Sequence, residues 1–263
     1  MRRAGIVGSL LLAGVCALAA DAPASLPVVP VANPERAGRE LAAELRAKAP
    51  AGNSEFTATL RIIPRGGETR AVPVSGAIQR VTADSTAPGW EAIYRTQAVE
   101  GTPAEQLRVR YGVGRPNVYY HARGEAAGKT LDDGCRLGND QAEIPLAGSD
   151  FWLVDIGLEF LHWPTQRVLK AEMRRGQTCR VLESVHPQPA PTGYARVVSW
   201  VARMDEEAEG ILQAEAYDKE NKLLKEFSLG SFKKVDGQWQ LQDMKIRNAK
   251  TGSRTWLEFD LKR

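Results

Sequence analysis

EFTATLRI, at residues 55–62, alternates between apolar and polar side chains. Its four apolar residues would lie on one face of an extended strand, because successive side chains of a strand point to opposite faces of the sheet. The same alternation recurs in about a dozen stretches of the chain. Turn sequences such as Asp236-Gly237 separate them, as in hairpins. The sequence therefore predicts a mainly β (α+β) fold: a single large curved antiparallel sheet, or incomplete β-barrel.

Two other stretches predict helices. Residues 34–48 carry an apolar stripe along one side, with Asn33 as a candidate N-cap. Residues 149–161 are apolar around most of the circumference of a helix and precede Pro164, which would end it. We expect both helices, one N-terminal and one mid-chain, to lie in the concavity of the sheet.

The N-terminus has the features of a secretory signal peptide. Two arginines precede an apolar stretch, which ends in the small-residue pattern Ala17-Leu18-Ala19 of a cleavage site. We expect residues 1–19 to be the signal peptide and residues 20–34, which hold four prolines, to form an extended tether. Residues 35–263 would then form the β domain.

The three cysteines leave alternatives open. Cys16 could be the lipid-modified cysteine of a lipoprotein signal, although Val15 is larger than the residue that normally precedes it. Cys135 and Cys179 are the thiols that remain after cleavage, and the cysteine count predicts a disulfide between them in an oxidising compartment. Two unpaired buried thiols are the alternative.

Composition and motifs favour a binding protein that is not an enzyme. A net charge of +3 gives no basic field of the kind that nucleic acids require. The chain has no nucleophile elbow, no zinc-protease helix motif and no phosphate-binding loop, and its three histidines are not at metal-ligand spacing. We therefore expect no metal and no cofactor. The enzymatic alternative is a general-base pair of His162 with Asp150 or Asp155.

The mid-chain helix carries the candidate ligand-contacting residues. A curved sheet with apolar residues on its concave face can leave a cavity for an acyl chain. Five residues could act as the lid or wall of this cavity, and plain core packing is the alternative for all of them: Phe151, Trp152, Ile156, Phe160 and Trp163.

The C-terminal half resembles the outer-membrane lipoprotein-sorting protein family, relatives of the periplasmic lipoprotein carriers of the Lol system. The resemblance extends from about Glu55 to the C-terminus and is strongest after Pro145. Its motifs are weak one by one but follow in order: Pro145 to Phe151, Asp155, Phe160 to Pro164, Cys179 to Glu183, Tyr194 to Val197, Trp200, Ala214 to Asp218, Leu223 to Phe227 and Asn248 to Thr255.

This resemblance implies an incomplete β-barrel whose open side is closed by helices, around a cavity for lipid chains. It predicts a periplasmic carrier or receptor for an acylated or lipidic ligand, in outer-membrane lipoprotein sorting. Its partners would be lipoprotein acyl chains or other lipid, and envelope membrane proteins. A sensor or protein-interaction module on the same fold is the alternative.

Overall fold

The computed structural model of the protein describes residues 31–48, 50, 52–81, 89–112, 114–131, 133–138, 143–203, 209–235 and 238–260. The predicted signal peptide, Cys16 and the tether up to residue 30 lie outside these ranges. Within them, no helix is long and apolar enough to span a membrane.

Twelve of the strands in the described ranges form one antiparallel sheet, with the order β5-β4-β3-β2-β1-β14-β13-β10-β9-β8-β7-β6. Because β5 and β6 are its two free edges, the sheet does not close, which confirms the predicted open antiparallel fold. Strands β11 and β12 form a separate hairpin. The strands are β1 Ser54–Ile63, β2 Arg70–Val81, β3 Gly89–Thr96, β4 Glu105–Gly112, β5 Arg115–Arg123, β6 Thr165–Arg174, β7 Gln177–Val185, β8 Arg196–Arg203, β9 Glu209–Tyr217, β10 Leu223–Leu229, β11 Phe232–Val235, β12 Gln238–Leu241, β13 Asp243–Asn248 and β14 Arg254–Phe259.

The sheet curves around the helical segments. A 3-10 helix, Glu159–His162, contacts both β5 and β7, which lie near opposite ends of the strand order. One hydrophobic core joins residues of these strands to residues of both helices. The core therefore lies inside the curve of the sheet.

The N-terminal helix α1, Pro34–Ala47, begins as the sequence predicts. The Asn33 side chain accepts a hydrogen bond from the backbone N–H of Arg36 at 3.0 Å. Leu41 is fully buried, and Gly38 lies against the backbone of β6, where an added Cβ would be 2.4 Å from the backbone nitrogen of Arg167. Glycine at this position therefore allows α1 to pack closely on the edge strand.

The mid-chain helix is shorter than predicted. Helix α2 spans only Leu153–Gly157, and Leu158 follows with a left-handed φ of 50° before the 3-10 helix. Side chains of the sheet donate hydrogen bonds to backbone carbonyl groups that, in a longer helix, would accept hydrogen bonds from the helix's own backbone N–H groups. The hydroxyl of Tyr111 donates to the carbonyl of Ile156 at 3.2 Å, and the amide of Asn117 donates to the carbonyl of Gly157 at 2.7 Å.

The predicted disulfide is absent from the structure. Cys179 is fully buried on β7 in a small cluster with Val198 and Trp200. Cys135 packs at the other end of the sheet, against a cluster that contains Tyr120 of β5. The prediction of a Cys135–Cys179 bond was wrong. The number of cysteines limits which pairs can form, but it does not show whether two cysteines lie close together, and these two belong to separate packing clusters. Both thiols are free.

Candidate functional site: an apolar cavity under the mid-chain segment

A cavity of about 390 Å³ lies between the inner face of the sheet and the helical segments. Its volume falls in the range of small-molecule binding sites, and its lining is predominantly apolar, as is usual for such sites. The lining comprises Leu45, Arg46, Lys48, Trp90, Tyr94, Tyr111, Gly112, Asn117, Phe151, Asp155, Ile156, Gly157, Leu158, Leu161, His162, Glu209, Gly210, Ile211, Phe227, Leu229, Met244 and Leu257.

Aromatic rings from distant strands form much of the wall. Trp90 of β3 stacks on Tyr111 of β4 with 3.7 Å between ring centroids and an angle of 11° between the rings. Phe151 meets Phe227 of β10 edge-on, at 6.4 Å. Such rings provide a large apolar surface for a ligand.

The C-terminal end of α1 closes one side of the cavity. Arg46 donates a hydrogen bond to the carbonyl of Leu161 in the 3-10 helix, and Lys48 donates to the carbonyl of Glu209 at the start of β9. Burial and the nearby charge of Arg46 lower the pKa of His162 to about 4, so this histidine is neutral at physiological pH. The two basic residues thus tie α1 to both walls beside the cavity.

Asp155 fixes α2 to the sheet. Its carboxylate accepts hydrogen bonds from the backbone N–H of Trp152 at 2.8 Å, from the Tyr194 hydroxyl at 2.8 Å and from the Lys225 ammonium at 3.2 Å. The Lys225 ammonium also lies 3.5 Å from the ring centroid of Trp152. Burial lowers the pKa of Lys225 to about 8, although Asp155 opposes this shift.

A second carboxylate, Asp150, ties the segment before α2 to β14. It accepts hydrogen bonds from the hydroxyl of Ser253 at 2.6 Å and from the hydroxyl of Thr255 at 3.0 Å. The stretches Pro145 to Phe151 and Asn248 to Thr255, which carry the sequence resemblance, are therefore in direct contact. Phe151, which follows Asp150, lines the cavity, so this contact lies next to the cavity wall.

Of the five predicted site residues, two line the cavity and three lie elsewhere in the fold. Phe151 and Ile156 line the cavity. Trp152 stacks on Tyr194 at 4.8 Å and borders a separate surface hollow. Phe160 and Trp163 are buried and meet edge-on at 6.4 Å, outside the lining of this cavity.

The sequence did not predict several other residues that line the cavity. Trp90 and Tyr94 have the strand alternation that places them on one face, but alternation does not tell which face encloses a cavity. Arg46 belongs to the polar side of an amphipathic helix, where solvent exposure is the default expectation. These three residues could be found only once the curvature of the sheet was known.

The enzymatic alternative gains no support from the geometry. Asp150 and Asp155 are hydrogen bonded to β14 and to Tyr194 and Lys225, as described above. The hydrogen bonds of the described residues include none from His162 to either carboxylate. Those residues also contain no group of three or more His, Cys, Asp or Glu side chains placed to hold a metal ion.

Comparisons with solved structures show that other proteins share this fold, an open antiparallel sheet that curves around helical segments. A putative outer-membrane lipoprotein-sorting protein domain from Vibrio parahaemolyticus matches with a TM-score of 0.67 and 22% identity, over 86% of this chain and 92% of that one. A DUF1329 family protein from Desulfovibrio piger matches with a TM-score of 0.64 and 19% identity, over 87% and 92%.

A LolA superfamily protein from Nitrosomonas europaea matches with a TM-score of 0.56 and 15% identity, over 87% of this chain and 92% of that one. A family described as an uncharacterized protein matches residues 131–261. No curated protein matches the sequence significantly. The resemblance to outer-membrane lipoprotein-sorting proteins is thereby confirmed at the level of the fold.

Proposed function

We propose that the protein is a non-enzymatic periplasmic carrier or receptor that shields an acylated or lipidic ligand in its cavity. The observation that carries this proposal is the cavity of about 390 Å³, enclosed by the curved sheet and by the segments around α2. Burial of apolar surface, at roughly 25 cal/mol per Å², would supply the affinity. No bond is made or broken in this function.

The location and the cargo form the finer part of the proposal. The signal-peptide pattern at residues 1–19 supports export. The fold shared with lipoprotein-sorting proteins supports a location in the space between two bacterial membranes. The cargo would be an outer-membrane lipoprotein in transit, held by its acyl chains. Envelope membrane proteins would then deliver and receive it.

The first experiment identifies the natural ligand. The full chain is purified from its native envelope without added detergent, and the bound material is extracted and analysed by mass spectrometry. A reproducible lipid or acylated peptide, present in stoichiometric amount, supports carriage. Protein that is reproducibly empty argues against it.

The second experiment tests whether the cavity is the binding site. Binding of the fluorescent apolar dye N-phenyl-1-naphthylamine is measured for the wild type and for Ile156→Asp, which places a charge on the cavity wall. We expect at least a tenfold loss of affinity, because an unpaired charge in an apolar site is strongly disfavoured. Leu169→Asp is the matched control, because Leu169 is 44% exposed on β6 and does not line the cavity. Equal loss in both variants would contradict the proposed site.

Crosslinking in intact cells distinguishes the carrier from the sensor alternative. A carrier should form transient complexes and release its ligand to an acceptor. A stable complex with one membrane protein, formed only when the cavity is loaded and without transfer of ligand, would favour the sensor.

A further inference from the structure

A second hollow adjoins the cavity at the C-terminal end of α1. It has a volume of about 260 Å³ and shares two lining residues, Arg46 and His162, with the cavity. Arg39 and Arg115 also line it, and no Asp or Glu of the described residues does. The charged side chains of this hollow are therefore all arginines.

These arginines have no acidic partner in the part of the chain that the structure describes. None of the ion pairs found there includes Arg39, Arg46 or Arg115. Arg46 is partly buried, and it donates its hydrogen bond to an uncharged group, the backbone carbonyl of Leu161. Charges that lose contact with water are normally paired, so a partly buried guanidinium without a counter-charge favours an anion beside it.

The two carboxylates on the cavity lining do not supply this counter-charge. Asp155 is paired with the ammonium of Lys225 at 3.2 Å, and Glu209 is paired with Arg180. Each carboxylate is thereby neutralised by a cation other than Arg46. The charge of Arg46 is left available to a bound ligand.

Two neighbours of Arg46 affect which ligand group can bind there. His162 is neutral at physiological pH, because burial and the charge of Arg46 lower its pKa to about 4. Lys48, at the same end of α1, adds a second positive charge to the cavity lining. A cationic head group would be repelled here, whereas an anionic head group would be attracted.

We propose that the protein binds an anionic amphiphile, whose apolar chain lies in the cavity and whose phosphate or carboxylate head lies in the hollow, between Arg46 and Arg115. Arg46 belongs to α1 and Arg115 begins β5, so the two side chains reach the hollow from different elements. A planar guanidinium can donate two parallel hydrogen bonds to the oxygen atoms of either head. This inference rests on the proposed function and deepens it, since it assigns a negative charge to the lipidic ligand.

The test compares probes that share a lauroyl chain and differ in the head. Displacement of N-phenyl-1-naphthylamine from the full chain is measured with lauroyl lysophosphatidate, with laurate and with monolauroylglycerol, which is the lysophosphatidate without its phosphate. We expect the better of the two anions to bind about tenfold more tightly than monolauroylglycerol, the effect of hydrogen bonds to a charged group. This preference should decrease as salt is added, because partly exposed charges are screened. Tighter binding of the lysophosphatidate than of laurate assigns the hollow to phospholipids, and the reverse order assigns it to fatty acids.

Variants assign the preference to the hollow. Arg115→Gln and Arg46→Gln should each reduce the preference for the anion several-fold, while the affinity for monolauroylglycerol stays nearly unchanged. Arg115→Lys, which keeps the charge, should retain part of the preference. Arg65→Gln is the matched control, because it removes the same charge from an exposed turn and Arg65 lines neither the cavity nor the hollow. Arg115→Gln keeps the test decisive if Arg46→Gln fails to fold, since Arg115 is exposed.

The outcomes distinguish this inference from the proposed function. If the dye and all three lipids fail to bind the wild type, the carrier function and the anion site are both wrong. If neither anion binds more tightly than monolauroylglycerol, the anion site is wrong and the carrier function stands. The same conclusion follows if the preference persists in Arg115→Gln and in folded Arg46→Gln, or if Arg65→Gln reduces it equally.

Discussion

At the scale of single residues, the ion pair of Lys225 and Asp155 has the clearest energetic consequence. Lys225 is 3% exposed and Asp155 is 11% exposed, so neither charge is well solvated. Removal of one partner of such a pair is much more costly than removal of both, because the remaining charge stays buried and unpaired. The pair also connects α2 to β10, so its loss should loosen the segment beside the cavity.

Lys225→Met should therefore lower the free energy of unfolding by about 3 kcal/mol or more in urea denaturation. The double variant Lys225→Met with Asp155→Asn should recover part of this loss, because an amide carries no charge and its oxygen can still accept a hydrogen bond from the Tyr194 hydroxyl. Arg36→Ala is the control, because its ion pair with Glu40 is exposed on both sides and screened by solvent, so its loss should leave the stability nearly unchanged. A loss in the double variant as large as the sum of the two single losses would show that the two residues are independent.

Glu159 gives a pH-dependent prediction at the same scale. Burial raises the pKa of Glu159 to about 7, against an ordinary value of 4.5. The folded state therefore binds more protons than the unfolded state between about pH 4.5 and 7, and the stability that Glu159 contributes falls as the pH rises through this window. His162 has the opposite effect over part of the same range, because its pKa is lowered to about 4.

A comparison with Glu159→Gln isolates the contribution of Glu159. The free energy of unfolding of the wild type, minus that of the variant, should fall by roughly 3 kcal/mol between pH 4.5 and 7.5. Urea denaturation at several pH values measures this difference, with the exposed Glu68→Gln as control. Parallel profiles for the wild type and Glu159→Gln would contradict the assignment.

At the scale of secondary-structure elements, the packing of α1 on β6 depends on Gly38. Alanine normally favours a helix over glycine by about 1 kcal/mol. Here a Cβ would meet the backbone of Gln166 and Arg167 at 2.4 to 2.5 Å, and a strand backbone cannot move aside without losing its pairing.

Gly38→Ala should therefore destabilise the protein by about 1 to 3 kcal/mol despite the gain in helix propensity. The thermal midpoint measures this change, and Gly52→Ala is the control because nothing lies within 4 Å of its added Cβ. A stabilising Gly38→Ala would mean that α1 does not pack on β6 as described.

The elements that could be predicted from the sequence are those determined by neighbouring residues, and those that could not are determined by residues distant in the chain. The strands and the start of α1 follow from alternation and from the Asn33 cap, which are local signals. The end of α2 depends on Tyr111 and Asn117, about 40 residues away, so the sequence of the helix itself could not reveal it. The cavity is a property of the curvature, which no single strand determines.

At the scale of the whole molecule, access to the cavity depends on how the end of α1 is held against the rest of the fold. The side chain of Arg46 spans from α1 to the carbonyl of Leu161, two segments that are 115 residues apart in the chain. This contact must open if the ligand enters beside α1. Binding and release should therefore be limited by the opening of this contact rather than by diffusion.

Arg46→Ala should accelerate release of N-phenyl-1-naphthylamine several-fold in stopped-flow dilution, because the helix end loses one of its two tethers to the walls. The association rate should rise as well, so the equilibrium affinity should change less than either rate.

Arg39→Ala is the matched control, since Arg39 is an exposed arginine of the same helix that does not line the cavity. Unchanged rates in Arg46→Ala would mean that the ligand enters elsewhere, and faster rates in both variants would point to a general loosening of α1. Faster exchange in Arg46→Ala alone would identify the end of α1 as the part of the fold that controls access to the cavity.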